Sequence, residues 1–347
     1  MSPDLVTVGG LTIDNVIAAD GAVALSRVGG NAAYSAVGAR CFVNSVGLVS
    51  MAVASFPQDA LARLAENKID LAGVTHHSAR LRFVEWFIYD DAGDRIERLR
   101  SLPGDLVAAG FSDQRLTRAD ALSWVAWLQS RPQPDEMSYS QFRHANPLTP
   151  KQVPERYLSA RGVHLAPSRM DVLKAMAALF GARGMPLTLD PGWQLADIAL
   201  DELAPLLALV DAFLPSAVEL AALVPGAGVD DALQALAVRC RGTVAVKRGK
   251  EGSLIWNRRE GRSVAVPALS VKTVDPTGAG DSWCGGFLAG LVETGDPVYA
   301  AHCGAVAAAR IVSHFGADGA LPVDQHACHR DLQALLTGSP TQGKGPL

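Results

Sequence analysis

Short apolar runs alternate with stretches of helical spacing over most of the chain. Leu5-Val6-Thr7-Val8 followed by Gly9-Gly10 reads as a buried strand that ends in a tight turn. Residues 31–41 are small and helical, opened by Gly29-Gly30. A second strand is predicted over 45–49 and a helix over 58–67, with Pro57 suited to its first turn. From Val163 the rhythm becomes regular. Strands over 163–165, 187–189, 212–214 and 244–246 alternate with helices over 171–180, 217–223 and 232–239. Apolar strands this short, separated by helices of that length, imply an α/β fold with a mostly parallel sheet covered by helices on both faces.

Two segments break the rhythm. In residues 82–100, Phe83, Trp86-Phe87-Ile88 and Ile96 flank the turn-like Asp91-Ala92-Gly93-Asp94, a β-hairpin pattern that suggests a small appended sheet. Residues 117–129 have helical spacing through Leu122, Trp124, Val125 and Leu128, whereas 131–154 are rich in Pro, Gln and Ser and predict an irregular excursion. Residues 336–347 read as a frayed tail, and no repeat period is evident.

Composition narrows the function. The 347 residues are 49% hydrophobic and 19% charged, which excludes a disordered chain. With 31 Lys and Arg against 35 Asp and Glu the net charge is −4, so no basic field exists to hold nucleic acid or an anionic membrane. Cys41, Cys240, Cys284, Cys303 and Cys328 are odd in number, widely spaced and free of any C-x-x-C, which argues against a disulfide framework or a cysteine zinc site. The chain lacks a basic leader and any apolar run near the roughly 18 residues of a membrane span. The expectation is a cytoplasmic protein.

The strongest chemical signal is Val274-Asp275-Pro276-Thr277-Gly278-Ala279-Gly280-Asp281, which runs into a helix predicted over 282–291. Two glycines let backbone approach a ligand, and the unpaired N–H groups of a helix start favour an anion. A carboxylate there would repel a phosphate that was only bound. Asp281 makes sense as a general base for a hydroxyl facing that phosphate, or else as a group that satisfies first-turn donors. No G-x-x-x-x-G-K-[ST] occurs, and Gly9-Gly10 is not a G-x-G-x-x-G, so neither a P-loop nor a dinucleotide fingerprint is present.

Asp275 and Gly278-Ala279-Gly280-Asp281, followed by Gly285-Gly286-Phe287, resemble the second signature of the ribokinase (PfkB) family of carbohydrate kinases. The N-terminal half is similar too, with Asp14 after the first strand and Gly29-Gly30-Asn31-Ala32 opening the first core helix. Lys247-Arg248-Gly249-Lys250-Glu251-Gly252 resembles the family's nucleotide loop, and residues 302–310, ahead of Phe315-Gly316-Ala317, stand where a helix flanks the adenine. The resemblance implies an ATP- and Mg²⁺-dependent kinase of a sugar, polyol or nucleoside. It implies a doubly wound ribokinase-like core over 4–330, with a small β lid from about 11–27 and 79–102. By the same resemblance Asp281 is the base, and the N–H groups of Gly278, Ala279 and Gly280 hold the phosphoryl group. Asp14, Gly30 and Asn31 contact acceptor hydroxyls, while Lys247, Gly249 and Gly252 line the nucleotide site. Asp275 starts a loop that in some members holds a monovalent cation such as K⁺. Lid sheets in the family often pair, which together with apolar Phe83, Trp86, Phe87 and Ile88 predicts a homodimer.

Three departures bear on the site. Where the family often has N-x-x-E to order water around Mg²⁺, this chain has Ser216-Ala217-Val218-Glu219, which is also a capping box. Met51-Ala52-Val53-Ala54-Ser55-Phe56-Pro57 replaces an acidic and glycine stretch. The excursion over 105–154 matches no motif. Ser216 in place of Asn supports one rival, a non-catalytic sensor that keeps the fold, whereas Gly278, Gly280 and Asp281 favour catalysis.

Overall fold

The structure, a computed structural model, describes residues 1–90, 94–131, 136–195 and 198–338. In chain order its strands are β1 (Leu5–Val8), β2 (Thr12–Ile17), β3 (Val23–Gly29), β4 (Val46–Val53), β5 (Ile69–His77), β6 (Val84–Tyr89) and β7 (Arg95–Ser101). After them come β8 (Val163–Leu165), β9 (Leu187–Leu189), β10 (Ala212–Phe213), β11 (Thr243–Lys247), β12 (Ser253–Asn257) and β13 (Arg262–Val266).

The larger sheet runs β13-β12-β11-β10-β9-β8-β1-β4-β5 and is parallel from β11 to β5, with β12 and β13 antiparallel at one edge. All four residues of β1 are buried, as a strand covered by helices on both faces requires. The chain leaves β1 toward β4 and β5, then returns across it to β8 and continues the other way. The crevice beyond the C-terminal ends of β1 and β8 is therefore the topological switch point, where doubly wound sheets place ligands. Strands β5, β12 and β13 carry no clean apolar run, and the sequence pattern did not predict them.

The smaller sheet has the order β3-β2-β6-β7, with β2 and β6 parallel and both outer pairs antiparallel. Of the turn predicted over 91–94, residues 91–93 lie outside the described residues, as do 339–347 of the predicted tail. The helix Arg118–Ser130, capped reciprocally by Thr117 and Asp120, packs on this sheet. Trp124 is fully buried there and meets Trp86 edge to face at 5.4 Å between ring centroids. Trp86 and Ile88, which the sequence offers as an exposed pairing surface, are thus covered within their own chain, and they no longer argue for a homodimer.

The segment expected to be irregular over 131–154 contains a helix, Tyr139–Ala145, in which Ser138 and Gln141 cap each other. Proline-rich composition hid it, because a two-turn helix has too few positions for a period to show.

Candidate active site

Two helices carry the central residues. Asn31–Arg40 and Ala279–Thr294 cross at very close range: a Cβ on Gly38 would stand 2.2 Å from the Ser282 carbonyl oxygen, and one on Gly285 1.9 Å from that of Ser35. Gly285 therefore serves helix packing. The Ser35 hydroxyl donates to the Asp281 carbonyl at 3.0 Å and fixes the register of the two helices. The second helix begins at Ala279, three residues before the predicted start, because Gly278 at φ 75° closes the loop in the left-handed region. The Tyr34 ring lies beneath it, 2.3 Å from where a Cβ would be, so this position admits only glycine.

The anion cradle differs in one detail from the expected trio. The Ala279 N–H donates to the Pro276 carbonyl at 3.3 Å, whereas those of Gly278, Gly280 and Asp281 have no partner among the described residues. Three donors are thus left free at one helix start, where an anion is favoured.

Asp281 stands on that first turn with its pKa raised to about 7. Burial is the main cause; Asp190 and Glu219 raise it further, while Lys247 and Arg143 oppose them. Lys247 Nζ bonds Asp190 Oδ2, lies 3.5 Å from Cys284 Sγ, and would be 3.7 Å from a Cβ on Gly280. Burial works against the Lys247 ammonium, but Asp190, Cys284 and Glu219 outweigh it and hold its pKa above the ordinary value. Ser216 and Glu219 do form a capping box: the Ser216 N–H donates to Glu219 Oε2 at 2.7 Å and the Glu219 N–H to Ser216 Oγ at 3.3 Å. Burial and then Asp190 raise the Glu219 pKa, while Lys247 lowers it.

On the other side of the crevice, Asn31 bridges the two strand ends at the switch point. Its Oδ1 accepts from the Gly10 N–H at 2.6 Å and its Nδ2 donates to the Pro167 carbonyl at 2.8 Å. Gly30, at φ 98°, brings its backbone against Gly10, where a Cβ would be 2.4 Å from the carbonyl oxygen. Asp14 on β2 is buried, and burial followed by the neighbouring Glu85 charge raises its pKa well above the carboxylate range. Glu85 lies directly beside it in the β2–β6 register. Asp275 is buried and its pKa is raised mainly for that reason; its Oδ1 accepts from the Thr277 N–H at 2.9 Å.

Of the sequence candidates, Asp281, Gly280, Lys247 and Glu219 converge with Ser216 close by, and Asp14, Gly30 and Asn31 form a second group. Gly249 and Gly252 lie in the turn between β11 and β12. Gly252 answers a backbone need, since a Cβ there would be 2.1 Å from the Val266 carbonyl oxygen, while Gly249 faces open space. Sequence reasoning missed Asp190, Glu85, Tyr89 and Arg143. Asp190 follows directly on β9, so the rule that ligands gather at strand C-termini could have found it. Nothing local marks the other three.

This site holds a half-buried carboxylate titrating near neutrality, a fixed ammonium close to it and unpaired backbone donors at the same helix start. Such a group can take a proton while an anion is held opposite it. Glycine-lined backbone and Lys247 suit a polyphosphate, and the Asp190 and Glu219 carboxylates suit a hydrated divalent cation. Among the described residues no helix is long and apolar enough to cross a membrane.

A model of the pfkB family of carbohydrate kinases matches residues 135–324. A cytidine kinase of Thermococcus kodakarensis is 27% identical over 289 residues, 83% of this chain and 88% of that one. An ATP-dependent ribose-1-phosphate kinase of Halopiger xanaduensis is 33% identical over 172 residues, 46% of this chain and 53% of that one. Among solved structures, an Escherichia coli protein described as ribokinase II, in complex with ATP and Mg²⁺, superposes with a TM-score of 0.67 at 19% identity, over 95% of this chain and 99% of that one. The nucleoside kinase of Burkholderia thailandensis in complex with inosine gives 0.65 at 16% identity, over 96% and 97%.

Proposed function

The chain belongs to the pfkB family of carbohydrate kinases, and from that premise we propose how its own residues transfer phosphate from ATP to a sugar, polyol or nucleoside hydroxyl. As a kinase of this family it uses ATP and acts on small sugar or nucleoside substrates. The observation that carries the mechanism is Asp281 on the first turn of its helix, half-buried, with a pKa near 7 and unpaired N–H groups at the same helix start.

In this reading Asp14, Gly30 and Asn31 hold the acceptor so that one hydroxyl points at Asp281. Asp281 takes the hydroxyl proton as that oxygen bonds to the γ-phosphorus and the bond to the departing ADP oxygen breaks. The N–H groups of Gly278 and Gly280, with that of Ala279 once released from Pro276, stabilise charge on the phosphoryl oxygens. Lys247 neutralises phosphate charge at the same opening, and the hairpin turn of Gly249 and Gly252 lets the nucleotide lie close to backbone. The Glu219 and Asp190 carboxylates would hold the hydrated Mg²⁺ of the nucleotide, which when bound would add charge neutralisation to that of Lys247. The loop from Asp275 is the candidate place for a monovalent cation such as K⁺. Of the four apolar residues that suggested a homodimer through the smaller sheet, Trp86 and Ile88 are covered, so pairing there would rest on the half-buried Phe83 and Phe87.

The test is ADP release from ATP and Mg²⁺ over a panel of sugars, polyols and nucleosides, with Asp281→Asn in parallel. One acceptor that stimulates the wild type, and a variant slower by about 10²–10⁴-fold with near-normal ATP affinity, is the expected result. ATP binding without stimulation by any acceptor would favour the sensor instead.

A further inference from the structure

The helix Tyr139–Ala145 delivers an arginine to the acceptor side of the crevice. The Arg143 guanidinium presses so closely on Gly10 that a Cβ there would stand 2.0 Å from Nη1. Its Nη2 donates to the Pro167 carbonyl at 3.2 Å, the same oxygen that Asn31 uses. Nε and Nη1 have no hydrogen-bond partner, and Arg143 forms no ion pair, among the described residues. Asp281 and Glu85 act on it through space, while burial lowers its pKa. Arg143 is half-buried, and its free Nε and Nη1 donors are not closed off from the adjoining pocket, so an anion there would find both ready to pair.

The space beside it supplies a place for one. A pocket opening at Gly9 is lined by Ser140, Arg143, His144, Ser168 and Arg169, and no Asp or Glu lines it among the described residues. Arg169 is held in place by a two-pronged contact with Asp171, at 2.8 and 2.9 Å, and by the His144 carbonyl at 2.9 Å. The crevice is therefore divided. Carboxylates of Asp14 and Glu85 suit hydroxyl donors on one side, and guanidinium, imidazole and serine hydroxyl donors suit an anion on the other. An uncharged acceptor would fill the first half and leave Arg143 unpaired.

We propose that the acceptor carries a phosphate monoester, held by Arg143 in this pocket while the accepting hydroxyl faces Asp281. This rests on the kinase reading of Asp281 and adds the substrate class to it. Several donors set at different directions match a tetrahedral dianion better than a planar carboxylate.

Calorimetric binding to the full chain without nucleotide tests the pocket, using ribose with its 1- and 5-phosphates, fructose with its 1- and 6-phosphates, and gluconate. A phosphorylated sugar should bind at least about tenfold more tightly than its parent, and Arg143→Gln should weaken it by roughly 10–100-fold while leaving the parent sugar unchanged. Arg143→Lys, which keeps the charge and guards against a misfolded variant, should retain part of the preference. No gain from the phosphate, tighter binding of gluconate, or a preference that survives Arg143→Gln each overturns the proposal. ADP release separates the two claims. Release with unphosphorylated sugars alone keeps the kinase reading and sinks the pocket. A phosphate preference without release from any acceptor keeps the pocket and sinks the role of Asp281.

Discussion

The hydroxyl of Tyr89 lies 2.7 Å from that of Thr277, joining the smaller sheet to the loop that presents the backbone donors. Tyr89 shares its face of β6 with Glu85, by alternation, while Trp86 and Ile88 point to the opposite, covered face. One side of the sheet is thus built for packing and the other for the crevice.

Removing that link should loosen the closure of the site without touching the nucleotide. Tyr89→Phe is expected to lower kcat/KM for the acceptor roughly 3–10-fold, the worth of one buried hydrogen bond, with ATP affinity unchanged. Steady-state kinetics with acceptor and ATP varied in turn will show it; an equal effect on both substrates would mean that the contact is merely structural.

Because burial raises the Asp281 pKa to about 7, the base is ready only after it loses its proton. For the free enzyme kcat/KM should rise with pH and level off above about 7. The same shift affects folding. Between the ordinary carboxylate range and neutrality the folded chain keeps a proton that the unfolded chain releases, so this group makes stability fall as pH rises through that window. Asp281→Asn should therefore melt higher than the wild type at pH 8, and the gap should close toward pH 4. A variant that melts lower at pH 8 would contradict the assigned burial.

The Lys247–Asp190 pair has its own signature, since removing one member strands the other. Side-chain exposures of 11% and 4% place both out of bulk water. Lys247→Met is expected to destabilise the fold by about 3–5 kcal/mol and to weaken ATP binding. Adding Asp190→Asn should restore part of the stability but none of the affinity. Urea unfolding and nucleotide titration of the two single variants and the double variant form the cycle; strict additivity would deny the coupling.

Trp124 is the keystone of the cover over the smaller sheet. Trp124→Ala should cost about 3–5 kcal/mol, whereas Trp124→Phe should cost less, because the indole Nε1 has no partner among the described residues to lose. With Trp86 and Ile88 covered, light scattering of the wild type at micromolar concentration should give a monomer mass, and Trp124→Ala should self-associate more. A dimeric wild type would show that pairing uses a different surface.

What the sequence by itself determined is what depends on neighbours along the chain. Short, largely apolar segments mark β1, β8, β9 and β11, because a strand covered on both faces favours apolar residues, with Thr7, His164 and Thr188 as buried polar exceptions. Gly278 and Asp281 were legible because a left-handed turn and a helix start need particular residues at particular steps. The capping box at Ser216 and Glu219 was likewise written locally. The tertiary structure alone decided which distant side chains surround the base. Asp190 reaches Lys247 across 57 positions, Tyr89 reaches Thr277 across 188, and Arg143 arrives from a segment without a legible period. These contacts depend on sheet order and on helices crossing at glycine contacts, and neither leaves a mark on the residues next to it in the chain. The pKa of Asp281 belongs to the same class, since desolvation is a property of the packed interior.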